Sequence, residues 1–192
     1  MICSKFDSDA ARLCASFLIE KKIVILPTDT VYGFSGIVGG TDEQIRRIKG
    51  REETKPFIQL IASPESLFDI TDDSVPESLL KFWPGALTII VHDKKNGDST
   101  VALRCPGDEW LREVISRAGS PVYSTSVNRS GKPVLKKISE IKTEFENEVA
   151  LIVDAGDSAD AVPSTIVRIE DGRPVIVRQG ALRISRLQHE KK

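Results

Sequence analysis

The chain is poor in the residue types on which much enzyme chemistry is built. It has two histidines, His92 and His189, and three cysteines, Cys3, Cys14 and Cys105, in 192 residues. No His/Cys/Asp grouping has metal-ligand spacing, and neither histidine has a partner motif, which disfavours a zinc hydrolase and a Ser-His-Asp hydrolase alike. His92, beside Asp93, reads as a solvated or structural residue, and His189 belongs to the polar tail. The cysteines are odd in number and form no CxxC, so they read as reduced thiols of a cytoplasmic protein. There is no GxxxxGK[ST], hence no Walker phosphate loop. No GxGxxG follows a strand, hence no dinucleotide fingerprint. No apolar run approaches the ~20 residues of a membrane span, and the opening MICSKFDSDA lacks the apolar stretch of a signal peptide. Charge of one sign is missing too. Lys+Arg 27 against Asp+Glu 28 leaves a net charge of −1 at pH 7, which argues against a protein whose main task is to coat nucleic acid. A local basic cleft remains compatible with that balance.

What is present suits one soluble α/β domain. Hydrophobic residues make up 40% and charged residues 29%, and a chain of this length buries roughly 70% of its unfolded surface without a disulfide or metal staple. Leu13/Phe17 and Cys14/Leu18 stand at i,i+4 within residues 7–22 and predict an amphipathic helix. IVIL (23–26) predicts a buried strand. TDEQIRRIKG predicts a helix with Thr41 and Gln44 as a capping box and Gly50 as its C-terminal cap. FIQLIA (57–62) predicts a strand, and Ser63-Pro64 the start of a short helix. A helical segment follows over 76–82. ALTIIVHD and TVALR flank Asn96-Gly97, the strongest short hairpin signal. Residues 108–118 predict a helix capped by Asp108 and ended by Gly119. PVYSTS is a strand, 139–147 a helix and VALIVDAG a strand, and STIVRIE and PVIVR form a second hairpin around Asp171-Gly172. Helices alternating with strands, together with hairpins, predict a twisted mixed parallel/antiparallel sheet with flanking helices in a single domain over 1–184. Residues 185–192 read as a polar C-terminal tail.

Six polar segments sit at the ends of these elements. PTDTVYG follows the first buried strand, where open α/β sheets bind ligands. KGREETKP places Lys49, Arg51 and Lys55 close together. TVALRCPG puts Thr100 and Arg104 on one strand. In STSVNRSGKP, Ser124, Ser126 and Asn128 alternate and point the same way if extended. PSTIV supplies Ser164 and Thr165, and VRQG supplies Arg178. Singly, each has a plainer reading: a solvated turn, an edge strand, a surface charge or an Asx-turn. Together they describe an anion site that works without histidine.

PTDTVYGFSG, KGREETKPF, WPGALTIIV, VALRCP, STSVNRSGKP, PSTIV and VRQGAL occur in the order found in the YrdC-type family, the L-threonylcarbamoyladenylate synthases. The resemblance runs from about Ile23 to Leu182, and the chain resembles the short, single-domain form. It implies the YrdC-like fold around a concave basic cleft. It implies a reaction in which L-threonine, bicarbonate and ATP give threonylcarbamoyl-AMP and pyrophosphate, feeding a tRNA threonylcarbamoyl transfer complex that modifies adenosine 37. Lys49, Arg51, Ser126 and Asn128 match the family's Lys-x-Arg and Ser-x-Asn signatures and stand as candidate catalytic residues. By the same resemblance Arg51, Lys55, Thr100, Ser126 and Arg178 would bind ATP. Thr30, Arg104, Ser124 and Ser164 would bind threonine, with Arg104 on its carboxylate and Tyr32 packed alongside.

Such a reaction needs no enzyme nucleophile. Catalysis reduces to positioning and charge stabilisation, with no protein metal site and with Mg²⁺ carried on the ATP phosphates. Two departures from the family pattern stand out: Phe34 where Leu is usual, and Val127 within the Ser/Asn motif. Leu60 falls where some relatives are polar. Two alternatives remain: a paralogue forming a different carbamoyl-adenylate, and an RNA-binding module that uses the same cleft for tRNA or double-stranded RNA.

Overall fold

The computed structural model describes residues 1–51, 56–158, 162–170 and 172–184. Along the chain run β1 (Ile2–Ser4), α1 (Ala10–Ile19), β2 (Val24–Leu26), β3 (Gly33–Ile37), α2 (Asp42–Lys49) and β4 (Ile58–Leu60). A 3-10 helix (Pro64–Asp69), α3 (Glu77–Leu80), β5 (Leu87–Asp93), β6 (Asn96–Arg104), α4 (Glu109–Ala118) and β7 (Val122–Ser126) follow. The chain closes with α5 (Ile138–Phe145), β8 (Leu151–Asp154), β9 (Thr165–Glu170) and β10 (Arg173–Arg178). The strands form one ten-stranded sheet in the order β1-β8-β2-β3-β7-β4-β6-β5-β9-β10. Both pairing types occur: β4 lies parallel to β6 and antiparallel to β7.

Three apolar clusters hold helices to the sheet. On one face, α1 and α4 bury Cys14, Leu18, Leu111 and Val114 against Val24, Leu26, Val122 and Leu151. On the other face, α2 and α5 bury Ile45, Ile141 and Phe145 against Ile25, Phe34 and Ile152. The Phe34 and Phe145 rings meet edge-on at 4.8 Å, a geometry favoured by the ring quadrupole. Further along that face, the 3-10 helix and α3 bury Leu67, Leu79 and Trp83 against Ile89, Leu103 and Val167. One face is therefore covered along its length. The α1/α4 face is covered only over the β1–β7 half, and no described helix packs on it over β6, β5, β9 and β10.

Local sequence explains most boundaries. Asp108 caps α4 by accepting from the Leu111 N–H at 3.2 Å. Gly50 ends α2 at φ 60°, a left-handed position suited to glycine. The predicted capping box at Thr41/Gln44 does not form. The Thr41 hydroxyl donates back to the Ile37 carbonyl at 2.8 Å, and Gln44 reaches the Lys21 carbonyl at 3.5 Å. The first hairpin also turns elsewhere than predicted. Asp93 pairs with Asn96, so Lys94-Lys95 make the turn and Asn96-Gly97 belong to β6. The cause is the Asp93 side chain, which accepts from the Lys95 N–H at 2.9 Å and closes an Asx-type turn first. Two strands had no sequence prediction. β1 is very short. β3 carries Gly33 and Gly36, which lower its β-propensity, while full burial of Phe34 holds it in the sheet.

Candidate active site: three polar clusters along one sheet face

Cross-strand partners share a face and alternate residues return to it. Ser124 pairs with Ser35 and Ile58, Ile58 with Ala102, Ala102 with Ile90, and Ile90 with Arg168. Arg178 pairs with Ile166, which pairs with Thr88. Counting by twos, the register puts Ser124, Ser126, Thr88, Thr100, Arg104 and Arg178 on one face, the face on which no described helix packs over the β6–β10 half.

The first cluster surrounds Arg104, which is 4% exposed. Its Nε donates to the Gly85 carbonyl at 3.1 Å and Nη1 to the Thr30 hydroxyl at 2.9 Å, while Nη2 pairs with Asp29. The other Asp29 oxygen accepts from the Gly107 N–H at 2.9 Å. Thr28 shapes the loop. Its hydroxyl donates to the Val31 carbonyl at 2.8 Å and accepts from the Thr30 N–H at 3.0 Å. The PTDT loop thus reaches from the β2–β3 corner to the segment between β6 and α4. Tyr32 does not line this cluster. It is buried, and its hydroxyl accepts from Ala155 N–H at 2.9 Å and donates to the Gly156 carbonyl at 2.8 Å. Burial pushes its phenol above the usual range.

The second cluster is built at the end of β7. Lys49 comes up from the last turn of α2 and is 4% exposed. Its ammonium donates to the Ser126 carbonyl at 2.5 Å, the Asn128 carbonyl at 3.0 Å and Asn128 Oδ1 at 2.9 Å. An ammonium has three N–H donors, so all of them are engaged. Burial first, and the charge of Arg51 second, pull the lysine down to about 8. Asn128 Oδ1 also accepts from the Ser126 hydroxyl at 2.8 Å, and its Nδ2 donates to the Lys132 carbonyl at 2.7 Å. The four signature residues therefore divide. Lys49, Ser126 and Asn128 form one hydrogen-bonded unit, while the Arg51 guanidinium lies over the Phe57 ring at 5.2 Å. Lys55 lies outside the described residues.

The third cluster joins Ser164 and Arg178. The Ser164 and Thr88 hydroxyls are 2.8 Å apart, and the Ser164 carbonyl accepts from Arg178 Nη2 at 2.9 Å. The Thr165 hydroxyl accepts from the Gly180 N–H at 2.8 Å. A Cβ on Gly180 would fall 2.3 Å from the Pro163 carbonyl and 2.4 Å from that of Ser164. Only glycine lets the VRQG and PSTIV segments approach this closely. Gly33 is fixed in the same way, since a Cβ there would meet the Ser124 hydroxyl at 2.7 Å. Thr100 stands alone and exposed on β6, opposite His92.

Sequence reasoning passed over Asp29, Thr88 and the Gly85 carbonyl. Asp29 stood inside the quoted PTDT motif, and its being the acid among hydroxyls was the available signal. Thr88, alone polar in ALTII, gave a weaker one. A separate cavity of about 650 Å³ is lined by Gln59, Ile61, Ser66, Asp69, Asp93 and Val101 among others. It contains none of the candidate catalytic or ligand-binding residues. Its carboxylates face a single lysine, Lys95, an arrangement that repels a polyphosphate.

A mixed sheet whose one face carries Arg104, Arg178 and paired hydroxyls, with no nucleophile–base pair among the described residues, defines an α/β domain with a polar sheet face. The chain belongs to the Sua5/YciO/YrdC family, described as "Telomere recombination", whose profile matches residues 16–180. It is 34% identical over 181 residues to the threonylcarbamoyl-AMP synthase of Bacillus subtilis, covering 88% of this chain and 52% of that one. It is 31% identical over 191 residues to the threonylcarbamoyl-AMP synthase of Pyrococcus abyssi, covering 92% and 56%. The chain thus spans about half the length of these curated relatives. The crystal structure of P. abyssi Sua5 complexed with L-threonine superposes with a TM-score of 0.81 at 31% identity, covering 90% of this chain and 54% of that one. Escherichia coli YciO shares the fold, with a TM-score of 0.76 at 24% identity. No described helix is long and apolar enough to cross a membrane.

Proposed function

We propose that the chain makes L-threonylcarbamoyl-AMP from L-threonine, bicarbonate and ATP, for transfer to tRNA by a downstream complex. The observation that carries this reading is the alignment of the Arg104, Ser126 and Arg178 clusters along one sheet face, together with relatives named for the activity. In the first step the threonine nitrogen bonds to the bicarbonate carbon and water leaves, giving a carbamate. A carbamate oxygen then attacks the α-phosphorus, and the bond to the bridging oxygen breaks with release of pyrophosphate.

Arg104, Thr30, Ser124 and Ser164 would hold the amino acid, with Arg104 on the carboxylate. Arg51, Lys55, Thr100, Ser126 and Arg178 would hold the nucleotide and offset charge on the departing pyrophosphate. Lys49 and Asn128 would fix Ser126 from behind. Mg²⁺ would enter on the ATP phosphates, with few direct protein ligands. Contact with tRNA itself would use the same face. The test is pyrophosphate release by the purified chain. Release is expected only when ATP, Mg²⁺, threonine and bicarbonate are all present, and threonine-independent release would contradict the assignment.

A further inference from the structure

The geometry points to Asp29 as the positioning residue for Arg104, and so as a determinant of amino-acid affinity in the proposed site. Asp29 is held by two different donors. One oxygen pairs with Arg104 Nη2 and the other accepts from the Gly107 N–H at 2.9 Å. Gly107 begins the turn into α4, whose first cap, Asp108, is anchored in turn by Lys5. The carboxylate is thereby tied to the helix layer. The guanidinium is caught on three sides, by the Gly85 carbonyl, the Thr30 hydroxyl and Asp29.

Arginine carries five N–H donors in a fixed plane. Three are engaged, which leaves a second N–H on each terminal nitrogen. Those two donors lie in the guanidinium plane, and Asp29 sets the rotation of that plane. A side chain 95% shielded from solvent also needs a counter-charge. Asp29 supplies it, from a side chain that is itself 21% exposed. Asparagine cannot replace it. Both Asp29 oxygens accept, whereas an amide has one acceptor and one donor group, so one of the two bonds must be lost.

This inference rests on the proposed reading for its kinetic consequence but not for its structural one, and the experiment separates them. In the ligand-free protein, the ¹⁵N-detected Arg104 Nε–H should exchange slowly with solvent. Asp29→Asn should accelerate that exchange at least about tenfold without loss of fold. Losing a hydrogen bond to a charged group then predicts a rise of about 10- to 100-fold in KM for L-threonine, with KM for ATP and kcat changed less than about threefold. Gly107→Ala is the second variant. Its Cβ would stand 3.1 Å from the Asp29 carboxylate, and it should reproduce a weaker version of the same KM split. Unchanged Arg104 exchange in Asp29→Asn would overturn the positioning role, whatever the activity. An equal rise in both KM values would overturn its selectivity for the amino acid. A wild-type chain that releases no pyrophosphate would sink the enzymatic reading while the exchange measurement still decides the role of Asp29.

Discussion

Replacing Lys49 by methionine removes a buried charge while keeping an unbranched stem of similar length. Two opposed effects on stability can be sized. Lowering the lysine from 10.5 to about 8 corresponds to about 3 kcal/mol by which the folded state disfavours the ammonium. Against this, the variant leaves the Ser126 carbonyl, the Asn128 carbonyl and Asn128 Oδ1 without their donor, and each such loss costs about 1–3 kcal/mol. Near neutral pH the terms partly cancel, and three such losses less about 3 kcal/mol leave an expected net destabilisation of about 0–6 kcal/mol.

The pH dependence isolates the first term. Because the folded-state value lies below the unfolded one, the unfolded chain keeps a proton that the folded chain has released between about pH 8 and 10.5. Wild-type stability therefore gains up to about 3 kcal/mol across that window and nothing from this group below it. Lys49→Met lacks the gain. Urea unfolding followed by the fluorescence of Trp83 and Trp110, at about pH 7, 9 and 10.5, measures the difference between the two proteins. Shifts common to both, such as the raised Tyr32 and Tyr123 phenols, cancel in that difference. A wild-type-minus-variant difference that stays flat across this range would refute the buried-ammonium account. Turnover should fall at least about 100-fold in the variant, since the Ser126–Asn128 unit loses its anchor.

Other substitutions separate chemistry from folding. Arg51→Ala should lower turnover by about two orders of magnitude while shifting Tm by less than about 4 °C, because a partly exposed cation over an aromatic ring contributes under about 1 kcal/mol; normal turnover would remove Arg51 from the phosphate site. Gly180→Ala must push the Pro163–Ser164 backbone away and should destabilise by about 1–3 kcal/mol, with a larger loss of activity than of stability; wild-type kinetics would show the close approach to be irrelevant. Phe34→Ala should cost about 3–5 kcal/mol by denaturant titration, and because the Lys49 ammonium lies over the Phe34 ring at 5.4 Å, turnover should fall along with stability; wild-type turnover would show that the ring does not help to place Lys49.

Much of this architecture was legible in the residues. Period and punctuation located the helices, and the alternation of Ser124 and Ser126 identified a shared face. The PSTIV and VRQG segments were singled out one by one, although nothing local says that they touch. That contact depends on the β9–β10 pairing and on the missing Cβ of Gly180, both of which are long-range facts. β3 was hidden because its glycines, Gly33 making room for Ser124 and Gly36 for Thr41, look like loop residues. Lys49 was named as a candidate, but its burial was not legible, because a one-dimensional pattern cannot show that three carbonyl-type oxygens converge on it. Asp29 was overlooked because its partner stands 75 residues further along the chain.

The central claim is that amino acid and nucleotide lie side by side on the half-open sheet face. Backbone and methyl NMR on the labelled chain, titrated with L-threonine and then with a non-hydrolysable ATP analogue, tests this directly. The account predicts shifts from threonine around Thr30, Arg104, Ser124 and Ser164, and adjoining shifts from the nucleotide around Thr100, Ser126 and Arg178. Shifts gathered instead around Gln59, Ile61 and Ser66, in the separate cavity, would contradict it.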